Sequence, residues 1–375
     1  MWARRPSWPA ASELMQAHGV GAAARSNNFD ALRLLAALLV IWSHQFAVMG
    51  LPVPQLLHNE PGALGVVIFF AISGYLVTLS WLADPHLGRF AARRALRIWP
   101  GLTAAVLLCA LVLGPLVTSL PVKAYFAHSL TWDYLRNLWL DTQFALPGVF
   151  DGNVLASSVN GPLWTIPLEV GCYAFLAAAG ALGLMRWRWV APLVFLALLL
   201  GMQWRYSPAP GAAMPAWSFG LQYGMVFALG ATLACWRHLW IGRRPIAMAA
   251  MLLVIGALYF KGPAIIAGQA PLLALAVVAV VAVVAGSAST PILKHAGHFG
   301  DFSYGLYIYA FPVQQLVAWH FADRLGYGAA LACTVAGTGL LAVLSWHLLE
   351  KKALTFKPAR PASGVSKIPS AQVTG

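Results

Sequence analysis

The sequence predicts an all-α integral membrane protein, a bundle of about ten transmembrane helices with both termini in the cytoplasm. Three observations predict it. Sixty per cent of the 375 residues are apolar and 9% are charged, whereas about a quarter of an ordinary soluble domain is charged. Apolar runs of roughly 20 residues, the length of helix that crosses a hydrocarbon core of about 30 Å, recur along the chain. Lys and Arg are spread unequally over alternate connecting segments.

Taken in order, residues 1–28 form a polar arm without the n-region, short apolar core and cleavage-site order of a secretory signal. Spans are expected near 29–50, 63–82, 99–119, 163–184, 188–205, 216–236, 245–261, 265–286, 302–320 and 327–349. The runs are continuous and rich in Leu, Ala and Val, which favours helix over the alternating strands of a barrel. Pro167 and Pro312 fall inside spans and are expected to kink them. The 29–354 region is thus one transmembrane domain, with a single long extracytoplasmic loop at about 120–162, and 355–375 reads as a disordered cytoplasmic tail.

With the N-terminus inside, 18 Lys and Arg residues fall on the cytoplasmic side and five outside, with Arg33 within the first span. The positive-inside rule fixes that orientation. The net charge of +13 is then explained by topology and anionic headgroups, and nucleic acid is not needed as a partner. Cys109, Cys172, Cys235 and Cys333 lie singly in spans with no CxxC and no metal-ligand spacing, so buried thiols are expected, with neither disulfides nor a metal site. No internal repeat or matched pair of broken helices points to an inverted-repeat transporter.

An ionisable group at membrane depth costs roughly 2.5–3.5 kcal/mol on insertion scales, so each one needs a reason. Asp30 and Arg33 lie in the first turn of the first span, where snorkelling is cheap. His44 follows Arg33 by eleven residues, about three turns and 16 Å, so one helix face carries a cation at one end and an imidazole at the other. Glu169, in NGPLWTIPLEVGCY, is expected at a depth similar to that of His44, where a carboxylate could orient the ring. A structural Glu paired with backbone freed by Pro167 is the alternative.

In the second span, GVVIFFAISGYL places Ser73 beside Gly74. Close helix approach explains both, and a pore lined by the Ser73 hydroxyl and the Gly74 backbone is the functional reading. The following FAARRALRIWP sets Arg93, Arg94 and Arg97 as a compact cationic cluster on one helix. It serves as a topological anchor or as a fork for phosphate oxygens. In the 120–162 loop, WDYLRNLWLD fits an interfacial amphipathic helix. Alternatively Trp132, Tyr134 or Trp139 stack on a sugar face, with Asp133 or Asp141 binding hydroxyls.

Arg33 with His44, FFAISG, RRALRIWP, GPLWTIPLE, GDFSYGLYIYAFPVQ and SWHLLEKKAL occur in one order over residues 28 to 354. Together they resemble acyltransferase family 3, membrane enzymes that O-acylate extracytoplasmic glycans and related acceptors. The resemblance implies that His44 is the catalytic histidine, that Arg33 is its partner, that Arg94 and Arg97 lie in the motif associated with acyl-CoA, and that Glu169 ends the tryptophan-to-glutamate motif. It implies acyl-CoA, most simply acetyl-CoA, as donor substrate with no resident cofactor. The acceptor would be a glycan or lipid-linked saccharide, and the location the bacterial inner (plasma) membrane. Ala310 stands where the family often has His, which removes a second imidazole from the ninth span. No esterase-like domain follows, so a stand-alone transmembrane acylase is expected. A proton-coupled transporter or flippase, with Arg33, His44 and Glu169 as a relay, is the rival from another class.

Overall fold

The computed structural model describes residues 27–205, 216–265, 270–321 and 324–359. The expected arm lies almost wholly outside the described residues, as does most of the tail. Among the described residues the chain is 78% helical and has no strand beyond two isolated bridges. Ten helices among the described residues have 16 residues or more: α1 Phe29–Val48, α2 Pro61–Ala83, α3 Leu87–Leu107, α4 Thr165–Ala181, α5 Val190–Arg205, α6 Ala216–Cys235, α7 Arg244–Ile265, α8 Ala270–Gly286, α9 Ser303–Phe321 and α10 Tyr327–Ser345. Seven helical stretches among the described residues are long and apolar enough to cross a membrane. The chain is a multi-pass membrane protein.

Local chemistry sets several helix ends. Asn27 Oδ1 accepts from the Phe29 amide, while the Asn28 side chain donates to Ala285 O and accepts from the Thr290 amide, tying the start of α1 to the end of α8. Gly50 adopts φ +69° just past α1, the left-handed position that ends helices without Cβ strain. Pro61 opens α2, where its missing N–H costs nothing.

The most buried span is α2, with 72% of its most apolar window inside the bundle, and it packs on α1, α4, α6 and α8. Glycine makes this possible. A Cβ at Gly65 would meet the Ala36 carbonyl, and one at Gly62 would meet Ser43, so α1 and α2 lie antiparallel in close contact. A Cβ at Gly74 would strike the Phe227 carbonyl, and one at Gly230 the Ala71 carbonyl, which joins α2 to α6 along a backbone seam. The backbone beside Gly74 is therefore filled by α6 and lines no pore, so the packing explanation of that glycine is the correct one.

Pro167 is the third residue of α4, inside a continuous helical stretch Gly161–Ala181 that changes from 3₁₀ to α-helix at Thr165. Pro312 lies in the interior of α9. The third span is longer than expected: helix runs from Leu87 to Val117, taking in the arginine motif and a π-helical turn at Leu108–Leu113. Of the four cysteines, all free, Cys109 and Cys235 are buried as expected, while Cys333 is exposed.

The segment after α3 departs most from expectation. Thr118 pairs with Val149 and the Ser119 amide donates to Gly148 O at 2.8 Å, so this excursion leaves and returns at one place. Between them the chain folds back along the helix: Tyr125 OH donates to Ala110 O at 2.7 Å, and Trp99 Nε1 donates to Leu138 O at 3.1 Å. Ala110 and Trp99 are separated by about 16 Å of helix. The first half of the expected outer loop is thus laid against the helical stretch Leu87–Val117, whose 31-residue length offers the apolar surface that buries Tyr125 and Tyr134.

Candidate active site

The charged residues of the bundle gather at the Arg33 end of α1. Asp301, just before α9, accepts from Arg97 at 2.7 Å and lies 3.7 Å from Arg33, which also pairs with Asp30 at 3.5 Å. Arg97 reaches Glu350 at 3.8 Å. Glu350 accepts from Ser345 Oγ at 2.8 Å, and Tyr309 OH donates to that hydroxyl at 3.1 Å. Two cations and three carboxylates thus bind α1, α3, the residues just before α9 and the helical turn after α10 together.

Beside this cluster, Glu169 on α4 accepts from Ser73 Oγ at 2.7 Å and from Tyr173 OH. The Arg94 guanidinium sits 5.9 Å from the Tyr173 ring centroid, and its Nε has no hydrogen-bond partner among the described residues. Arg93 turns elsewhere. It bonds Asp84 at 2.8 Å, and Arg89 grips the same carboxylate with contacts of 2.6 and 3.0 Å. The three-arginine cluster is therefore divided: Arg93 is a cap on the α2–α3 turn, Arg97 is held by carboxylates, and Arg94 alone lacks an acidic partner among the described residues. The Arg89 guanidinium, with Arg93 behind it, holds the Asp84 carboxyl well below the usual carboxylate range.

His44 lies toward the other end of α1. Its Nδ1 is 2.9 Å from the Val40 carbonyl, and a carbonyl only accepts, so Nδ1 carries the proton and Nε2 presents its lone pair. The ring meets Phe311 edge-on, with centroids 5.5 Å apart and planes at 84°. Gly62 faces Ser43 and His44, and Ser73 lies eleven residues further along α2. Glu169, bound to Ser73, is thus about 16 Å from the His44 level. The expectation that Glu169 shares the depth of His44 and orients its ring is corrected here, since the Val40 carbonyl performs the orientation. Neither is Glu169 paired with backbone freed by Pro167; its partners are two hydroxyls.

The loop residues proposed for a sugar face behave differently from one another. Tyr134 is fully buried and offers no ring to a ligand. Trp132 is half-exposed but donates through Nε1 to Phe126 O at 2.9 Å. Trp139 is exposed, Asp141 is paired with Arg136 and accepts from Gln143 Nε2, and Asp133 is half-buried. WDYLRNLWLD forms no single amphipathic helix. It is a short helix ending at Asp133, followed by a 3₁₀ turn over Tyr134–Trp139 that Leu140 stops at φ +67°.

Asp301, Glu350 and Tyr173 are site residues that sequence reasoning passed over. Tyr173 was within reach, because four residues after Glu169 is the same helix face. Asp301 and Glu350 lie far from the arginines in sequence, at helix ends where an acidic residue draws no notice.

A family model described as "Acyltransferase domain", acyltransferase family 3, matches residues 26–346. The chain belongs to acyltransferase family 3. Among curated proteins of this kind, the "O-acetyl transferase" of Shigella phage Sf6 is 32% identical over 335 residues, covering 88% of this chain and 97% of that protein. "Nodulation protein 10" of Rhizobium leguminosarum bv. viciae is 26% identical over 367 residues, covering 91% and 96%. No solved structure matches. The family membership and the 32% identity to an O-acetyl transferase identify this member as an O-acyltransferase.

Proposed function

We propose that this O-acyltransferase moves an acetyl group from cytosolic acetyl-CoA to a hydroxyl of a glycan or lipid-linked saccharide on the far side of the bacterial inner membrane, with His44 as general base. In this reading both termini are cytoplasmic, so the Arg33 end of α1 faces the cytosol, as the distribution of Lys and Arg along the sequence supports. The observation that carries the reading is the separation of Arg33 from His44 by eleven residues, about 16 Å of helix. The pantetheine arm between pyrophosphate and sulfur has about 13 bonds and extends roughly 15 Å at the rise per bond of an extended chain. A donor whose phosphates meet Arg94, Arg97 and Arg33 would thus present its thioester near Nε2 of His44.

In the reaction the acceptor oxygen attacks the thioester carbon while its proton passes to Nε2. The C–S bond then breaks, and the proton is returned to the departing thiolate, giving O-acetyl product and free CoA thiol. Deprotonating a sugar hydroxyl beforehand is very unfavourable, so a base of near-neutral pKa must act as the bond forms. Ser73, Glu169 and Tyr173 line the donor's path beside Arg94.

The test is sidedness. In proteoliposomes with acetyl-CoA on the side of the 237–244 segment and acceptor on the opposite side, thiol should be released; with the two exchanged it should not. Release only in the exchanged arrangement would overturn the donor-inside reading. Acceptor crossing the bilayer without thiol release would favour the transporter.

A further inference from the structure

Pro312 has no N–H, so the Ile308 carbonyl four residues back in α9 loses its helical donor. Asn160, 148 residues away in sequence and fully buried, fills that position, its Nδ2 donating to Ile308 O at 2.8 Å. The adjoining residue, Gly161, lies against the Phe311 ring, where a Cβ would stand 3.4 Å from its edge. Phe311 is the ring that meets His44 edge-on. One turn further along α9 the same stretch is fastened again. Gln315 Nε2 donates to Leu155 O at 2.7 Å and Ser158 O at 2.6 Å, and Asn153 Nδ2 donates to the backbone and side-chain oxygens of Gln315, both at 2.9 Å. Residues 153–161 are therefore clasped onto the Pro312 region of α9 by neutral amides, directly behind the wall that His44 touches.

We propose that Asn160 is a positioning residue that replaces the hydrogen bond Pro312 removes from α9, and so holds Phe311 against the His44 ring. The proposal rests on His44 being the base. Asn160 acts through Phe311 and does not touch the reacting atoms. Without it, a buried carbonyl is left unpaired, and α9 relaxes by changing its bend at Pro312. Phe311 moves with that bend, and Nε2 loses its aim.

Acceptor-dependent thiol release by the purified full chain in nanodiscs is the readout. Asn160→Ala should lower kcat about tenfold, the scale of one buried hydrogen bond, with the donor KM unchanged. Adding Pro312→Ala to Asn160→Ala gives Ile308 O a helical N–H again and should recover most of the lost rate, which a general loss of packing would not allow. In the His44→Ala background, Asn160→Ala should cost nothing more. If Asn160→Ala fails to insert, the rescue is read from recovery of insertion and rate in the Asn160→Ala/Pro312→Ala chain. Full activity of Asn160→Ala, or failure of Pro312→Ala to restore any rate, overturns the positioning role. Full activity of His44→Ala instead overturns the general-base reading on which it rests.

Discussion

The two ends of the site are built from opposite materials. At the Arg33 end, charges bind charges: Arg33 and Arg97 share Asp301, Arg97 extends to Glu350, and Arg94 lies over Tyr173 beside Glu169. At the His44 end, the polar contacts are neutral, made by the Val40 carbonyl and the amides of Asn160, Gln314 and Gln315. Fixed charge suits a ligand that arrives with phosphates. A base that must gain and lose a proton is better served by neutral neighbours, because a carboxylate touching the ring would hold the proton.

The strongest challenge to this division is His44→Ala. General-base assistance is worth about 10²–10⁴-fold, so turnover should fall by that factor in a thiol-release assay while acetyl-CoA binding persists. His44→Gln should be nearly as poor, since an amide cannot take the proton. Wild-type turnover in either would remove the distinction between the two ends.

Asp84→Asn tests the charged end for stability alone. Asp84 is buried against Arg93, and losing the ionic hydrogen bonds should cost roughly 2–3 kcal/mol in thermal or denaturant unfolding, with donor affinity unchanged. The sign of its pH dependence is set by a folded pKa below the unfolded one. The stabilisation is complete above the unfolded carboxylate pKa and disappears only as pH falls through the folded value, so wild type and Asp84→Asn should converge only in strong acid. A constant difference down to strong acid would show that ionisation is not its source.

Arg94→Ala separates donor binding from architecture. It breaks no ion pair among the described residues, so the donor KM should rise about ten- to a hundredfold, less steeply at high salt, with little change in stability. Arg97→Ala should both weaken the donor and loosen the bundle, because it frees Asp301 and Glu350. Equal donor affinity in wild type and Arg94→Ala would return that arginine to the role of topological anchor.

The mildest effect is expected of Glu169→Gln, about 1 kcal/mol or a few-fold in kcat/KM, because the Ser73 and Tyr173 hydroxyls can still donate to an amide oxygen. A loss as large as that of His44→Ala would mean that the two ends are coupled after all.

The helices were legible in the sequence because lipid demands long apolar runs, and His44 and Arg33 stood out because polar groups are rare there. Periodicity also placed those two on one face. What it does not carry is register between helices. That register is set by Gly62, Gly65 and Gly74, where backbones touch, and it lowers Ser73 and Glu169 by three turns relative to His44. The same blindness hid Asp301 from Arg33 and Arg97, and it made a segment packed along α3 read as an outer loop carrying an interfacial amphipathic helix, since its broken helices show no long apolar run.

The seam between α2 and α6 bears on how such a protein can move. With Gly74 against the Phe227 carbonyl and Gly230 against the Ala71 carbonyl, the two backbones meet with no side chain between them to act as a bearing. Sliding either helix by one residue would drive a Cβ into a carbonyl, and tilting them apart would open a void along the most buried element of the bundle. Any rocking of α2 against α6 would have to tear this joint. A catalyst needs no such stroke: its substrates can approach a stationary frame from opposite directions and leave the way they came.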